Sequence, residues 1–126
     1  MRTSLLPQSL IEICQKKLIQ TKRDLLNRIR ETEISLRGIE KSTGDEMDQS
    51  VAHTDEAQFL IQQDRQRHQL FEIESALGRI EMGTFGICEE TDETIEQHRL
   101  QALPWTRLSI EGAELREAVG RKFISL

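Results

Sequence analysis

Lys41-Ser42-Thr43-Gly44-Asp45-Glu46-Met47-Asp48-Gln49-Ser50 is the stretch that decides how this chain folds. It holds a glycine, short polar residues and three acids, the composition of a turn followed by a new helix start. On either side the pattern is helical. From Ser9 to Lys41 there is no proline and one late glycine, Gly38, among residues that are mostly good helix formers. Ile11, Cys14, Leu18, Leu25, Ile29 and Leu36 fall on one apolar stripe. Ser9, with Glu12 after it, predicts a capping box at the start. From about Gln49 to Met82 a second stripe runs through Phe59, Gln63, Gln66, Leu70, Ile73, Leu77 and Ile80, a heptad seam with a polar middle. Two such helices joined by a short turn must lie antiparallel, each roughly 50 Å long.

Downstream the pattern changes. Gly83-Thr84-Phe85-Gly86 ends the second helix, and the chain is irregular to about Ser109. Ile87 and Ile95 suggest small strands. His98 to Leu103 suggests one helical turn stopped by Pro104, and Glu111 to Lys122 reads as a last helix. A small core is expected from Ile87, Ile95, Leu100, Leu103, Trp105, Leu108, Ile110, Leu115, Val119 and Phe123. The expected fold class is mainly α: a long antiparallel coiled-coil hairpin plus a small zinc-finger-like globular head and a C-terminal helix. Residues 1–8 form an arm, 9–83 the hairpin with its tip near 42–50, and 84–126 the head.

Composition narrows the function. The 126 residues carry a net charge of -5, so a phosphate-backbone binder with a broad basic face is not expected. A protein partner fits better, and sequence-specific nucleic-acid binding is not predicted. No apolar run approaches a membrane span, and a signal peptide is not recognisable at the start. Two distant cysteines do not make a disulfide framework. A cytoplasmic location is expected from these absences.

Cys88-Glu89-Glu90-Thr91 and Ser109-Ile110-Glu111-Gly112 have the spacing C-x2-C-x17-C-x2-C of a pair of zinc knuckles. Structural zinc takes four Cys or His donors, whereas Thr91 and Ser109 are poor ligands and Gly112 offers none. The head is therefore expected to hold by packing, without zinc. Cys88 reads as a buried structural thiol, with Glu89 and Glu90 expected to raise its pKa. Cys14 reads as a small core residue. His53, His68 and His98 lack nucleophile partners at any motif spacing, and no catalytic residue is predicted.

Three runs carry a resemblance. They are Asp64-Arg65-Gln66-Arg67, then Ile80-Glu81-Met82-Gly83-Thr84-Phe85-Gly86-Ile87-Cys88-Glu89, then Arg99-Leu100-Gln101-Ala102-Leu103-Pro104. Together they resemble the DksA/TraR family, densely from Asp64 to Leu115. The resemblance implies a protein that binds bacterial RNA polymerase, inserts its hairpin into the secondary channel and alters initiation. In the family this often occurs with the stringent-response alarmone ppGpp. The family's tip motif, Asp-x-x-Asp-x-Ala, maps onto Asp45, Asp48 and Ser50. Arg65 and Arg67 are implied polymerase contacts. Three positions that help bind ppGpp in one branch are Glu72, Leu103 and Ala113 here, so weak or absent ppGpp dependence is expected. A monomer is expected. The alternative is a coiled-coil adaptor or homodimer that pairs through the Leu70, Ile73, Leu77 and Ile80 seam.

Overall fold

The computed structural model describes residues 5–42 and 49–124. Its helices are α1, Gln8–Ser42; α2, Gln49–Met82; α3, Gln97–Ala102; and α4, Ile110–Ile124. The fold is mainly helical, a coiled-coil hairpin of α1 and α2 followed by a small head that ends in α4. The tip acids Asp45 and Asp48 lie outside the described residues. Ser50 lies in α2, with its side chain outside that description.

The helix ends follow local chemistry. α1 starts one residue before Ser9, because the Pro7 carbonyl accepts from the Leu10 and Ile11 amides at 3.1 and 3.2 Å. The expected capping box at Ser9 gives way to Pro7, whose ring fixes φ near the helical value. α2 ends at Gly83, whose φ of 77° no other residue adopts easily. There Gly83 N donates to the Ile80 carbonyl and Thr84 N to the Arg79 carbonyl, at 3.2 and 3.0 Å. That paired arrangement is the Schellman motif, which satisfies the last carbonyls of a helix.

The chain divides into two compact units. The first comprises Met1–Ile19 with Glu72–Leu126, and the second is Gln20–Phe71. The first unit holds most of the core: Leu6, Leu10, Cys14, Leu18, Ile73, Ala76, Phe85, Cys88, Ile95 and Leu100 are buried. Leu6, placed by sequence in a loose arm, is buried against Gly86, where an added Cβ would collide with it. The Cys14 thiol points to the Leu100 carbonyl at 3.6 Å, and Lys17 Nζ donates to the Gln101 carbonyl at 2.7 Å. These bonds tie α1 to α3.

In the second unit the helices lie antiparallel, with Thr32 of α1 opposite Gln66 of α2. Leu25, Thr32 and Gln66 are buried there, and Ile29, Leu36, Phe59, Gln63 and Leu70 are half-buried. The heptad seam is thus where the sequence placed it. No helix among the described residues is long and apolar enough to cross a membrane.

Candidate functional site

The four positions of the knuckle frame come together, and each has a local role. The Cys88 amide donates to the Glu93 carbonyl at 2.8 Å, and the Asp92 amide returns to the Cys88 carbonyl at 2.9 Å. A single antiparallel bridge, Ile87 to Thr94, takes the place of the small strands expected at Ile87 and Ile95. Gly86, at φ 85°, and Asp92, at φ 60°, turn the chain around it. Thr91 Oγ1 accepts from the Glu93 amide at 3.3 Å, a local turn bond of the kind Thr commonly makes.

Ser109 is the N-cap of α4. Its Oγ accepts from the Gly112 amide at 3.0 Å, and its carbonyl accepts from Ala113 at 2.9 Å. An N-cap serine contributes about 1 kcal/mol. The same hydroxyl donates to Cys88 Sγ at 3.4 Å. Glu96 reinforces the helix start, its carboxylate accepting from Ile110 N at 3.3 Å.

Gly112 makes this contact sterically feasible. A Cβ at Gly112 would run into Cys88 Sγ and come within 3.3 Å of Ser109 Oγ. Gly112→Ala is therefore expected to destabilise the head. Overpacking costs about 1–3 kcal/mol, offset in part by up to about 1 kcal/mol of helix propensity. A fall in the thermal midpoint measured by circular dichroism checks this.

Cys88 is fully buried, as the sequence reading expected. Its acidity is not as expected. Burial pushes the thiol up, but hydrogen bonds from Ser109 and Thr91 outweigh it and bring the pKa to about 7. The neighbouring acids do not raise it, because they face cations. Arg107 donates to Glu89 at 2.9 Å, and Arg116 to Glu90 at 2.7 Å. Burial pushes the Glu89 carboxyl up, and the Arg107 and Arg116 guanidinium groups outweigh that, holding it below the ordinary range.

Arg107 was not singled out from sequence, yet it fastens three segments. Its Nε donates to Glu72 at 2.8 Å, one terminal nitrogen to Glu89, and the other to Ser75 Oγ at 2.7 Å. The Glu72 carboxylate is thus balanced by a guanidinium. Arg79 runs alongside, reaching Ser75 Oγ and the Trp105 carbonyl at 3.0 and 3.3 Å. Arg107→Ala leaves two carboxylates and a hydroxyl without their shared donor. The expected loss is about 1–2 kcal/mol, reduced from the full buried value because the pair is partly exposed. Urea denaturation of wild type and variant measures it.

Arg65 and Arg67 lie exposed on α2 within the second unit. They border an open groove of about 580 Å³ lined also by Ile61, Asp64 and His68. Among the described residues no ion pair to either arginine is seen.

Comparison with known proteins gives a consistent result. Residues 11–80 match the family model described as the N-terminal domain of DnaK suppressor protein DksA. Residues 83–118 match the prokaryotic dksA/traR C4-type zinc finger. The RNA polymerase-binding transcription factor DksA of Caulobacter vibrioides is 37% identical over 107 residues, covering 85% of this chain and 75% of that protein. General stress protein 16O of Bacillus subtilis is 30% identical over 99 residues, covering 75% of this chain and 61% of that one. The transcription factor DksA2 from Pseudomonas aeruginosa has the same fold, with a TM-score of 0.84 and 29% identity over 90% of this chain and 88% of that one.

The zinc-finger match corrects the sequence expectation of a head without zinc. By family this head is a C4-type zinc finger, and zinc binding is what that family model points to. The expectation was drawn from ligand identity alone, whereas the family frame resides in the spacing and in the flanking Phe85-Gly86-Ile87-Cys88-Glu89 and Arg99 to Pro104 runs. The four positions themselves do not fit a four-thiolate ion. They offer one thiol, two hydroxyls and a glycine, and the second cysteine, Cys14, lies on α1. Among the described residues no cluster of three His, Cys, Asp or Glu side chains could hold a metal.

Proposed function

The chain belongs to the DksA/TraR family, and from that premise we propose that it regulates transcription by entering the secondary channel of bacterial RNA polymerase and modulating initiation. The observation that carries this reading is the match of residues 11–80 and 83–118 to the two family models, together with the two long helices α1 and α2. A narrow helical hairpin is a shape that fits a channel, and a net charge of -5 suits a protein partner better than a nucleic-acid backbone. Asp45 and Asp48, with Ser50 beside them, are the tip residues that meet the polymerase active-site region. Arg65 and Arg67 contact polymerase along the shaft. The protein acts as a monomer, uses no catalytic residue of its own and reads no DNA sequence directly.

The test is in vitro transcription from a stable-RNA promoter with purified polymerase, alongside a direct binding measurement. Saturable binding to core polymerase and a changed transcript yield are expected. Charge reversal at Arg65 and Arg67 together is expected to weaken binding about tenfold or more, since hydrogen bonds to charged groups contribute about 1.5–3 kcal/mol each. Absence of binding by the wild type, together with concentration-dependent self-association, would favour the adaptor reading instead.

A further inference from the structure

The second unit buries two polar side chains while several apolar ones stay exposed. Gln66 and Thr32 are 6% and 5% exposed, whereas Leu26, Ile34, Leu60 and Ile61 on the same two helices are exposed. Gln66 Nε2 donates to Thr32 Oγ1 at 3.3 Å, and the Thr32 hydroxyl donates onward to the Arg28 carbonyl at 2.8 Å. The remaining amide atom, Gln66 Oε1, is buried without a partner. Turning the amide over would not change this. Among the described residues the Gln66 side chain has one partner, so either orientation leaves one amide atom unpaired.

An unpaired buried polar atom is destabilising, and an apolar pair would fill this layer with no such loss. A buried polar layer in a largely apolar seam does have one well-attested use, which is to fix register. We propose that the Thr32–Gln66 layer is a register lock for the hairpin, admitting the one antiparallel alignment in which these two residues face each other. A slip of one heptad would place Gln66 opposite Leu25 and Thr32 opposite Phe59. Both amide atoms of Gln66 would then be unpaired against apolar side chains. In the native register one of them is paired, so the lock acts by making the slipped state worse.

The lock bears on the turn. Slipping one helix by seven residues moves residues between shaft and turn, so the layer bears on whether the turn presents Asp45 and Asp48, the acids proposed for the tip. Thr32 and Gln66 are positioning residues for those acids, and this consequence rests on the polymerase reading. The register itself does not depend on it.

The test uses the full chain with spin labels on introduced cysteines, Glu31→Cys and His68→Cys, which sit on exposed positions of the two helices. Pulsed electron paramagnetic resonance reads the distance between the labels. The otherwise wild-type chain gives one narrow distance. Gln66→Leu gives a higher melting midpoint, by about 3 °C or more, and a second distance population from a slip of about 10 Å along the axis. Thr32→Val leaves the whole Gln66 amide unpaired and gives a lower midpoint. A Gln66→Leu protein with the single wild-type distance overturns the lock, as does a Thr32→Val protein that is as stable as wild type. Neither readout involves polymerase, so a chain that failed to bind polymerase would remove the functional consequence and leave the register result standing.

Discussion

Asp48→Asn is expected to remove most of the protein's effect on transcription initiation while leaving its affinity for polymerase within about twofold. The substitution keeps the side chain's shape and takes away one negative charge, replacing an acceptor oxygen with an amide donor. If the tip acts through charge close to the polymerase active site, the loss falls on function. A charge-assisted hydrogen bond contributes about 1.5–3 kcal/mol, so the expected drop in effect is roughly tenfold to a hundredfold. Affinity should survive if the binding contacts lie on the shaft at Arg65 and Arg67, as proposed. Asp45→Asn is expected to act in the same direction. Ser50→Ala restores the methyl of the family's tip motif and should change the effect far less than either acid variant. Transcription from a stable-RNA promoter, measured beside equilibrium binding, separates the two quantities. Equal transcription effects of wild type and Asp48→Asn would refute the tip mechanism, and a parallel loss of binding would reassign Asp48 to docking.

The hairpin was legible in sequence because its signal is periodic. Cys14, Leu18 and Leu25 on α1 and Gln66 and Ile73 on α2 were read onto the seam and are buried there. Even the polar middle was visible, although its pairing with Thr32 was not, since nothing local tells a seam threonine from an exposed one. The head was less legible for the opposite reason. Leu115 and Val119 were read as core, yet both are about half exposed. α4 packs with its small residues instead: Gly112 is buried and Ala113 and Gly120 are half-buried. Apolar periodicity cannot show that a helix approaches on its glycine face. Ser109 was weighed as a failed ligand whose hydroxyl could bond locally, and not as a helix cap. Its place immediately before Ile110-Glu111 was an N-cap signal of the ordinary kind, and that signal describes what the residue does. Arg107 had no local signal, because its partners Glu72 and Glu89 are brought together only by the tertiary fold.

Phe85 shows the same limit most sharply and carries the second large prediction. In sequence it stands between glycines in a helix-ending stretch, so it read as punctuation. In the structure it is the largest of the fully buried side chains, 1% exposed, within the unit whose core also takes Leu18, Ile95 and Leu100. The backbone on either side is fixed by Gly83 and Gly86 at positive φ. Gly86 is pressed against Leu6 and Leu100, with Leu100 Cδ1 3.3 Å from where a Cβ would stand. Phe85→Ala is expected to cost about 3–5 kcal/mol, the range for truncating a fully buried aromatic side chain. For a chain of this length that lowers the melting midpoint by roughly 10–20 °C. Phe85→Leu, which keeps most of the volume, should cost under about 1.5 kcal/mol. Chemical denaturation of the three proteins tests this ordering. The folded first unit brings Glu72, Glu89 and Arg107 together, so the same experiment at high salt separates ring burial from the ion pairs. Salt screens the exposed part of that network and should leave the Phe85→Ala deficit unchanged. A deficit below about 1 kcal/mol would mean that the ring is not the centre of this core.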